Sequence, residues 1–340
     1  MTFSAVGPLA LVSVLISGAK LVAQEPFQFP TANHALYEIG QELKFFAPTA
    51  PDKPWTTGSF GCVRSDGWQM HEGLDIRCLQ RDRFGEPTDP VMATADGTVV
   101  YINRRPSLSN YGNYLVIRHI IEGLEIYSLY AHLSAIRPGL GLGQAVKAGE
   151  VVATMGRTSN TSERITRDRA HVHFELNVFV NEKFEAWYRK AFPRERNDHG
   201  IWNGENLNGL DPREILLAEH NPKGGFSLLN FIQGQTELCR VLVRATNFPY
   251  LKRYPALVLK NPVAEQQGVA GYEIALNYNA VAFALMPRAA SEITGRARFQ
   301  LLSVNEPEYR AHPCRKIVVQ RGNRWELAPY GLRELELLTY

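Results

Sequence analysis

The amino-acid sequence predicts a mainly β protein, and three features carry that prediction. Short apolar segments recur between residues 60 and 180, separated by turn signals about every 8 to 12 residues. These segments do not alternate with long helical patterns, so a parallel sheet built from βαβ units is not expected. From residue 226 to Tyr340 apolar and polar residues alternate again, which predicts a second, smaller β-rich domain.

Turn residues mark where the individual elements begin and end. Asp-Gly and Glu-Gly pairs at 96–97 and 122–123 are typical of connections between short antiparallel strands. Helical spacing occurs over 181–192, and Asp211-Pro212 has the composition of a helix N-terminus. The expected strands are 90–102 (interrupted by the first turn), 113–119, 124–133, 151–156 and 169–176, then 237–245, 256–259, 271–285, 298–304 and 316–326, the last with a turn at Gly322-Asn323.

The chain divides into four expected parts. Residues 1–23 have the pattern of a secretory signal peptide, because their uncharged core is too short to span a bilayer comfortably; an uncleaved anchor is the alternative. A lead-in over 24–54 precedes a main domain over 55–220, and a domain of unassigned role follows over 226–340. We therefore expect an exported protein of the periplasm, cell envelope or exterior, with no stable membrane insertion beyond the signal peptide.

The composition is that of a globular chain with a proper core. Of the 340 residues, 45% are hydrophobic and 21% are charged, which argues against disorder. The net charge is +3 and the isoelectric point is near 8.6. Nucleic acid is not an expected partner, because the sequence has no dense Lys/Arg cluster.

Four cysteines are present, and an exported chain could join them in disulfides. Their order suggests Cys62–Cys78 and Cys239–Cys314, each within its own half of the chain, although sequence alone leaves other pairings open. No Cys-x-x-Cys occurs, so zinc ligation by thiolates is not expected.

Five isolated polar residues, each next to a turn or a strand end, form the candidate site: His71, Asp75, His132, His171 and His173. His171 and His173 are two apart on a predicted strand and therefore share a face. His71 and Asp75 flank a glycine-containing turn that lets both side chains converge. Each residue alone is most simply a surface or loop residue. Together, two histidines and a carboxylate are typical of a catalytic zinc site that leaves a fourth position open.

The segment from about Gly58 to Leu216 resembles the lysostaphin/LytM-type zinc metalloendopeptidases that cut peptidoglycan peptides. The motifs occur in the order that the family has them: Ser-Phe-Gly-x-x-Arg at 59–64, His-x-Gly-x-Asp at 71–75, Pro-Val-x-Ala-x-x-Asp-Gly-x-Val-Val at 90–100, Tyr-Gly-Asn-Tyr at 111–114, Tyr-Ala-His-Leu at 130–133, Gly-Gln-x-Val-Lys-x-Gly at 143–149, His-x-His-Phe-Glu at 171–175 and Leu-Asp-Pro at 210–212. Jointly they are far more specific than His-x-His alone.

This resemblance implies an antiparallel, duplicated-hybrid-motif-like β fold and a hydrolase that acts on peptidoglycan cross-links or stem peptides. It makes His71, Asp75 and His173 the ligands of one zinc ion per chain. It makes His132 and His171 the catalytic histidines that activate water and stabilise the oxyanion. His119, which family members often share, is expected to be structural.

Two segments depart from the family pattern, and both are expected to line the substrate groove. Residues 159–169 are unusually charged, and 183–208 are a long insertion.

One alternative function is a catalytically inactive protein of the same fold that binds cell wall or activates another hydrolase. A second alternative is a zinc peptidase that cuts a non-wall protein. The C-terminal domain could be a wall-binding module, an inhibitory cover or an assembly surface, and the sequence assigns no oligomeric state.

Overall fold

The structure, a computed structural model, describes residues 27–161, 165–221 and 225–340. The expected signal peptide over 1–23 lies outside these ranges, as do Glu163, Arg164 and most of the stretch 221–225 between the two expected domains. Within the described ranges, no helix combines the length and the apolar character needed to cross a membrane.

Antiparallel strands build the first part of the molecule, as the sequence predicts. They are β1 Gly61–Arg64, β2 Gln69–His71, β3 Leu74–Arg77, β4 Pro90–Met92, β5 Gly97–Asn103, β6 Tyr114–Ile121, β7 Leu124–Ala131, β8 Ala135–Ile136, β9 Ala145–Val146, β10 Val151–Thr154, β11 His171–Phe179 and β12 Leu207–Leu210.

The central strand of the site is β11, which lies in a seven-stranded sheet of order β12-β11-β7-β6-β5-β9, with β3 as a seventh strand paired to β11. Its first half pairs with β3, which sets His173 opposite Asp75, and its second half pairs with β12. On its other edge β7 sets Ala131 opposite His173. All nine residues of β11 are buried, so the imidazoles of this strand are held by packing on both faces.

Helices flank these strands, with bounds α1 Glu42–Phe45, α2 Phe184–Ala191 and α3 Pro212–Glu219. The helix expected over 181–192 is α2. In α3 the carboxylate of Asp211 accepts hydrogen bonds from the backbone N–H groups of Arg213 (2.8 Å) and Glu214 (3.4 Å), and Pro212 occupies the first helical position. The predicted cap is therefore confirmed.

The C-terminal segment is β-rich but contains more helix than the sequence predicts. Its strands are β13 Cys239–Val243, β14 Gly271–Leu276, β15 Ala282–Arg288, β16 Phe299–Val304, β17 Val318–Arg321 and β18 Arg324–Leu327, and its helices are α4 Leu228–Gln233, α5 Pro249–Arg253, α6 Pro262–Gln267, α7 Glu306–Ala311 and α8 Pro329–Leu338. The first four strands form a sheet of order β15-β14-β13-β16, and β17 and β18 form the hairpin expected at Gly322-Asn323.

The expected strand over 256–259 is wrong: Pro255–Leu257 form a single 3-10 turn. Four of the five helices of this segment are six residues long or shorter, too short to show a helical period in the sequence. In the sequence, the helices of this segment are marked only by local signs of a helix N-terminus. These are a proline in the first turn of α5, α6, α7 and α8 and an asparagine cap before α6 and α7.

The C-terminal segment packs directly on the first part of the molecule. One hydrophobic cluster extends from Phe27 to Leu338 and includes residues of both parts. Buried polar groups also join them: the Tyr254 hydroxyl donates to the Glu125 carbonyl (3.0 Å) and accepts from the Phe179 N–H (2.8 Å). The two parts are therefore held in a fixed relation.

The disulfide links the two parts of the chain, and the expected pairs Cys62–Cys78 and Cys239–Cys314 are wrong. Cys62 is bonded to Cys314 across 252 residues of sequence, with 5.3 Å between their Cα atoms. Cys78 and Cys239 are free thiols, each buried. The expectation failed because it paired cysteines by closeness in sequence, whereas the packing of the C-terminal segment against β1 brings Cys314 to Cys62.

Candidate metal centre and adjoining cleft

Three side chains from three strands converge on one point. His71 ends β2, Asp75 lies in β3 and His173 lies in β11. The atoms His71 Nε2, Asp75 Oδ1 and His173 Nδ1 form a triangle with sides of 3.1, 3.1 and 3.0 Å. A tetrahedral zinc ion with bonds of about 2.0–2.1 Å holds its ligand atoms about 3.3 Å apart. The donor types and their spacing therefore fit zinc.

Each histidine of this triangle is oriented by a partner on its outer nitrogen. His71 Nδ1–H donates to the Ser59 carbonyl at 2.7 Å, and His173 Nε2–H donates to Glu175 Oε1 at 2.8 Å. These bonds leave the lone pairs of His71 Nε2 and His173 Nδ1 directed at the shared point. An acceptor behind a histidine is the usual support of a metal ligand, because it fixes the tautomer and the ring orientation.

The two carboxylates of the cluster are fixed as well. Arg64 Nη2 donates to Asp75 Oδ2 at 2.5 Å, which leaves Oδ1 for the shared point. Glu175 accepts from the Tyr111 hydroxyl at 2.7 Å and from Asn177 Nδ2 at 2.9 Å. The Glu175 carboxylate therefore has little freedom to leave His173.

A close approach of backbones explains the glycine between His71 and Asp75. A Cβ atom on Gly73 would lie 2.3 Å from the Phe174 carbonyl oxygen and 2.9 Å from Glu175 Cγ. The turn between β2 and β3 can therefore press against β11 only with glycine at this position.

His132 and His171 lie beside the triangle. Their ring centroids are 4.9 Å apart, and that of His132 is 6.0 Å from that of His173. His132 Nδ1–H donates to the Thr158 carbonyl at 2.9 Å, and His171 Nδ1–H donates to the Arg169 carbonyl at 2.6 Å. Both rings therefore carry their free acceptor on Nε2.

Burial keeps these two rings neutral. It lowers the pKa of His132 well below its usual range, and the neighbouring His171 and His173 lower it further. Burial also lowers the pKa of His171, against the opposing effect of Asp75.

The electrostatics of the triangle favour positive charge. Burial alone would lower the pKa of His173, but hydrogen bonds to Asp75 and Glu175 raise it to about 10. Burial alone would raise the pKa of Asp75, but the neighbouring histidines and the Arg64 guanidinium hold it well below its usual range. The Asp75 carboxylate therefore favours positive charge at the shared point, which is a second sign that the donor set fits a metal ion.

Two clefts meet at this cluster. The metal cleft, of about 250 Å³, contains the five candidate residues and is bordered by Ser159, Thr161, Ile165 and Arg169. The adjoining cleft, of about 300 Å³, is lined by Leu108, Ser109, Arg196, Asp198, His199, Asn203, Gly204, Glu205, Asn208, Arg315, Tyr330 and Glu334. Glu72, Asn110 and Tyr111 line both. Described residues of 159–169 and 183–208 therefore border these two clefts, and their role in a substrate groove stays a prediction.

The structure thus brings together all five residues that the sequence singled out. His119 lies elsewhere: its Nδ1–H donates to the Asp96 carbonyl at 2.9 Å and its Nε2 bonds to Ser128 Oγ at 2.7 Å, as a structural residue would.

Sequence reasoning missed the residues that support the cluster. Glu175 is two positions after His173 on the same strand and therefore shares its face, a signal that was readable. Arg64 is the last residue of the Ser-Phe-Gly-x-x-Arg motif, which on its own assigns it no role. Arg315 belongs to the C-terminal segment, and only the tertiary fold brings it to Glu72, where Nη2 donates to Glu72 Oε1 at 2.8 Å.

Comparison with known proteins places these features in a family context. The profile of peptidase family M23 matches residues 69–184, which include all five candidate residues. The murein hydrolase activator NlpD of Escherichia coli K12 is 36% identical over 106 residues, 31% of this chain and 22% of that protein. The lipoprotein NlpD of Yersinia enterocolitica is 35% identical over 95 residues, 28% of this chain and 84% of that protein.

Among solved structures, the catalytic domain of lysostaphin from Staphylococcus simulans is similar to this chain with a TM-score of 0.28 and 20% identity. The similarity covers 47% of this chain and 86% of that one. The match to the E. coli activator, by contrast, spans less than a quarter of that protein's length.

Proposed function

Because the chain belongs to peptidase family M23, we propose that it is an exported, zinc-dependent endopeptidase that hydrolyses peptide bonds in peptidoglycan cross-links or stem peptides. The observation that carries this proposal is the triangle of His71 Nε2, Asp75 Oδ1 and His173 Nδ1, each ligand supported from behind. Three converging ligands, each supported on its far side, are what a metal-dependent hydrolase requires.

His71, Asp75 and His173 would hold the ion. When bound, zinc supplies a Lewis acid that lowers the pKa of water to about 7 and polarises a carbonyl group. The supports keep the ligands ready for it: Glu175 holds His173, the Ser59 carbonyl holds His71, and Arg64 turns one oxygen of Asp75 inward.

The proton transfers fall to His132 and His171. Each presents an unprotonated Nε2 beside the triangle, because its Nδ1–H is engaged by a backbone carbonyl. A neutral imidazole in this position can take a proton from the attacking water, and its protonated form can then donate to the oxyanion or the leaving amine. Two such rings allow one to act as base and the other as donor.

Export to the cell envelope is supported by two independent features. The relative from Yersinia is named a lipoprotein and the relative from E. coli a murein hydrolase activator. The Cys62–Cys314 bond fits an oxidising compartment outside the cytosol.

A second candidate function is activation of another murein hydrolase without hydrolysis by this chain. The names of the curated relatives support it more directly than they support the enzyme. In this case the clefts would bind a partner or cell wall, and the cluster of His71, Asp75 and His173 would be structural.

Zinc titration separates the two functions. The purified chain is freed of metal, titrated with zinc and assayed on isolated sacculi for newly exposed amino groups. We expect activity to rise with zinc up to about one ion per chain, to vanish in His71→Ala and to persist in the control His34→Ala, whose histidine is exposed.

A chain that binds no zinc and releases no peptide ends would reject the enzyme. Stimulation of an added murein hydrolase by that same preparation would support the second candidate. Cleavage of a protein substrate but not of sacculi would instead identify a non-wall peptidase.

A further inference from the structure

The adjoining cleft borders the metal cleft. Glu72 and Tyr111 line both, and each is close to the triangle: Glu72 follows His71 in the chain, and Tyr111 donates to the carboxylate that holds His173. A peptide with its scissile bond at the triangle would therefore continue into the adjoining cleft.

The adjoining cleft has one wall from each part of the molecule. The insertion over 183–208 supplies His199 and Glu205, and the C-terminal segment supplies Arg315, Tyr330 and Glu334. Arg315 is anchored by its ion pair with Glu72 (2.8 Å), and the disulfide at its neighbour Cys314 holds the same stretch of chain.

The charges of this cleft do not cancel. Arg196 pairs with Asp198, and Arg315 pairs with Glu72. Two further carboxylates remain, those of Glu205 and Glu334, and neither forms an ion pair with a described residue.

Glu334 shows the electrostatic consequence of this excess. It is 7% exposed, and burial raises its pKa to about 7, against the lowering effect of Arg315. The charge of Glu205 raises the same pKa, so the two carboxylates lie within electrostatic reach of each other. A positively charged group between them would offset the desolvation cost of the buried Glu334 carboxylate and the repulsion between the two carboxylates.

The same cleft contains a buried polar atom without a partner. His199 is 8% exposed, and its Nδ1 bonds to the Tyr101 hydroxyl at 2.8 Å. Its Nε2 has no hydrogen-bond partner among the described residues. An unsatisfied group at this depth is costly unless a ligand completes it.

We propose that the adjoining cleft is a substrate-recognition subsite for a primary ammonium group on the peptide, with the carboxylates of Glu205 and Glu334 as its partners. This inference rests on the proposed function for the identity of the peptide. It also gives the C-terminal segment a role, since that segment supplies one wall of the groove.

Binding tests the subsite without hydrolysis. The zinc-free full chain is titrated at pH 8 into a dye-labelled peptide derived from peptidoglycan that carries one free side-chain amine, and into the same peptide after acetylation of that amine. Fluorescence anisotropy should show about tenfold to a hundredfold tighter binding of the free amine, the range for a hydrogen bond to a charged group.

Matched variants locate the effect. Glu205→Gln/Glu334→Gln should bind both peptides equally, and Glu205→Gln alone, at an exposed position, should reduce the preference without affecting folding. The control Glu265→Gln, exposed on α6 and away from both clefts, should keep the full preference.

Equal affinity of the parent chain for the two peptides would overturn the inference, as would a preference that survives in the folded double variant. The outcome is separate from that of the proposed function. A zinc-loaded chain that cleaves nothing, while the zinc-free chain discriminates between the peptides, would reject hydrolysis and leave the subsite standing.

Discussion

Each imidazole of the metal cleft takes its orientation from the group bonded to its outer nitrogen. On β11, His173 Nε2 meets the Glu175 carboxylate, so Nδ1 faces the triangle, whereas His171 Nδ1 meets the Arg169 carbonyl, so Nε2 is the free atom. Two histidines two positions apart on the same face therefore present different nitrogens and are suited to different tasks.

The first prediction separates those tasks. His173→Ala should lose zinc, because it removes one of three ligands, whereas His171→Ala should retain zinc and lose at least about a hundredfold in rate, as expected for loss of a general acid–base residue. Metal content after dialysis and sacculus hydrolysis measure the two effects. Stoichiometric zinc in His173→Ala would refute the ligand assignment.

The second prediction concerns the support of His173. Glu175→Gln should weaken zinc binding by about 10–100-fold, because the neutral amide polarises the imidazole less than a carboxylate does. Competition with a chromophoric chelator gives the affinity, and Glu265→Gln, exposed on α6, is the control. Unchanged affinity would mean that the 2.8 Å contact does not support a ligand.

At the scale of the elements, the turn between β2 and β3 brings two of the proposed ligands, His71 and Asp75, to β11. The turn lies so close to that strand that Gly73 has no room for a side chain, while Gly141, in an open part of the surface, has nothing within 4 Å of an added Cβ.

Substitution at these two glycines gives the third prediction. Gly73→Ala should lower the free energy of unfolding by about 1–3 kcal/mol, the range for overpacking, because backbone must move to accommodate the methyl group. It should also weaken zinc binding, since the turn carries His71 and Asp75. Denaturant unfolding measures the first effect. Gly141→Ala should be near neutral, and equal behaviour of the two variants would contradict the close approach.

The pair β6–β7 contains a buried histidine that contributes to the acid sensitivity of the sheet. Burial of His119 in β6 lowers its pKa from 6.5 to about 4. Below pH 6.5 the His119 imidazole therefore binds a proton in the unfolded chain but not in the folded chain. The free energy of unfolding falls as the pH drops from about 6.5 to 4.

The fourth prediction follows from that window. His119 should account for a loss on the order of 3 kcal/mol in the free energy of unfolding between pH 6.5 and 4. His119→Gln should be less stable at pH 7 but should depend less on pH within this window, whereas the exposed His34→Gln should follow the parent. Denaturant unfolding at a series of pH values measures both, and a parallel pH profile of parent and His119→Gln would contradict the assignment.

At the scale of the whole molecule, the disulfide joins the hairpin β1–β2 to the C-terminal segment. That hairpin carries Arg64 and the proposed ligand His71, so the bond fixes it against the wall of the adjoining cleft. The shape of the metal cleft and of the adjoining cleft therefore depends on both parts of the chain.

Removal of this bond gives the fifth prediction. Cys62→Ala/Cys314→Ala should lower the free energy of unfolding by about 2–5 kcal/mol, because the unfolded chain gains freedom. Denaturant unfolding without reductant measures the loss. Peptide mapping under non-reducing conditions should recover the Cys62–Cys314 peptide, with Cys78 and Cys239 alkylated only after unfolding; a Cys62–Cys78 peptide would refute the pairing.

The sequence by itself determined the β class, the five residues of the metal cleft and the cap of α3. These depend on local rules: a strand alternates its faces, a turn needs glycine, and a capping side chain reaches only its own first turn. His171 and His173 share a face in any fold that keeps the strand.

Only the tertiary structure decided the Cys62–Cys314 bond, the pairing of Arg315 with Glu72 and the two-walled cleft. These join positions more than 100 residues apart, and no local pattern encodes which distant surfaces pack together. The support of His173 by Glu175 stands between the two cases, because strand parity placed both on one face but only the fold buried them together. These contacts arise from long-range packing, because the burial of apolar area is favourable whatever the distance in sequence between the surfaces.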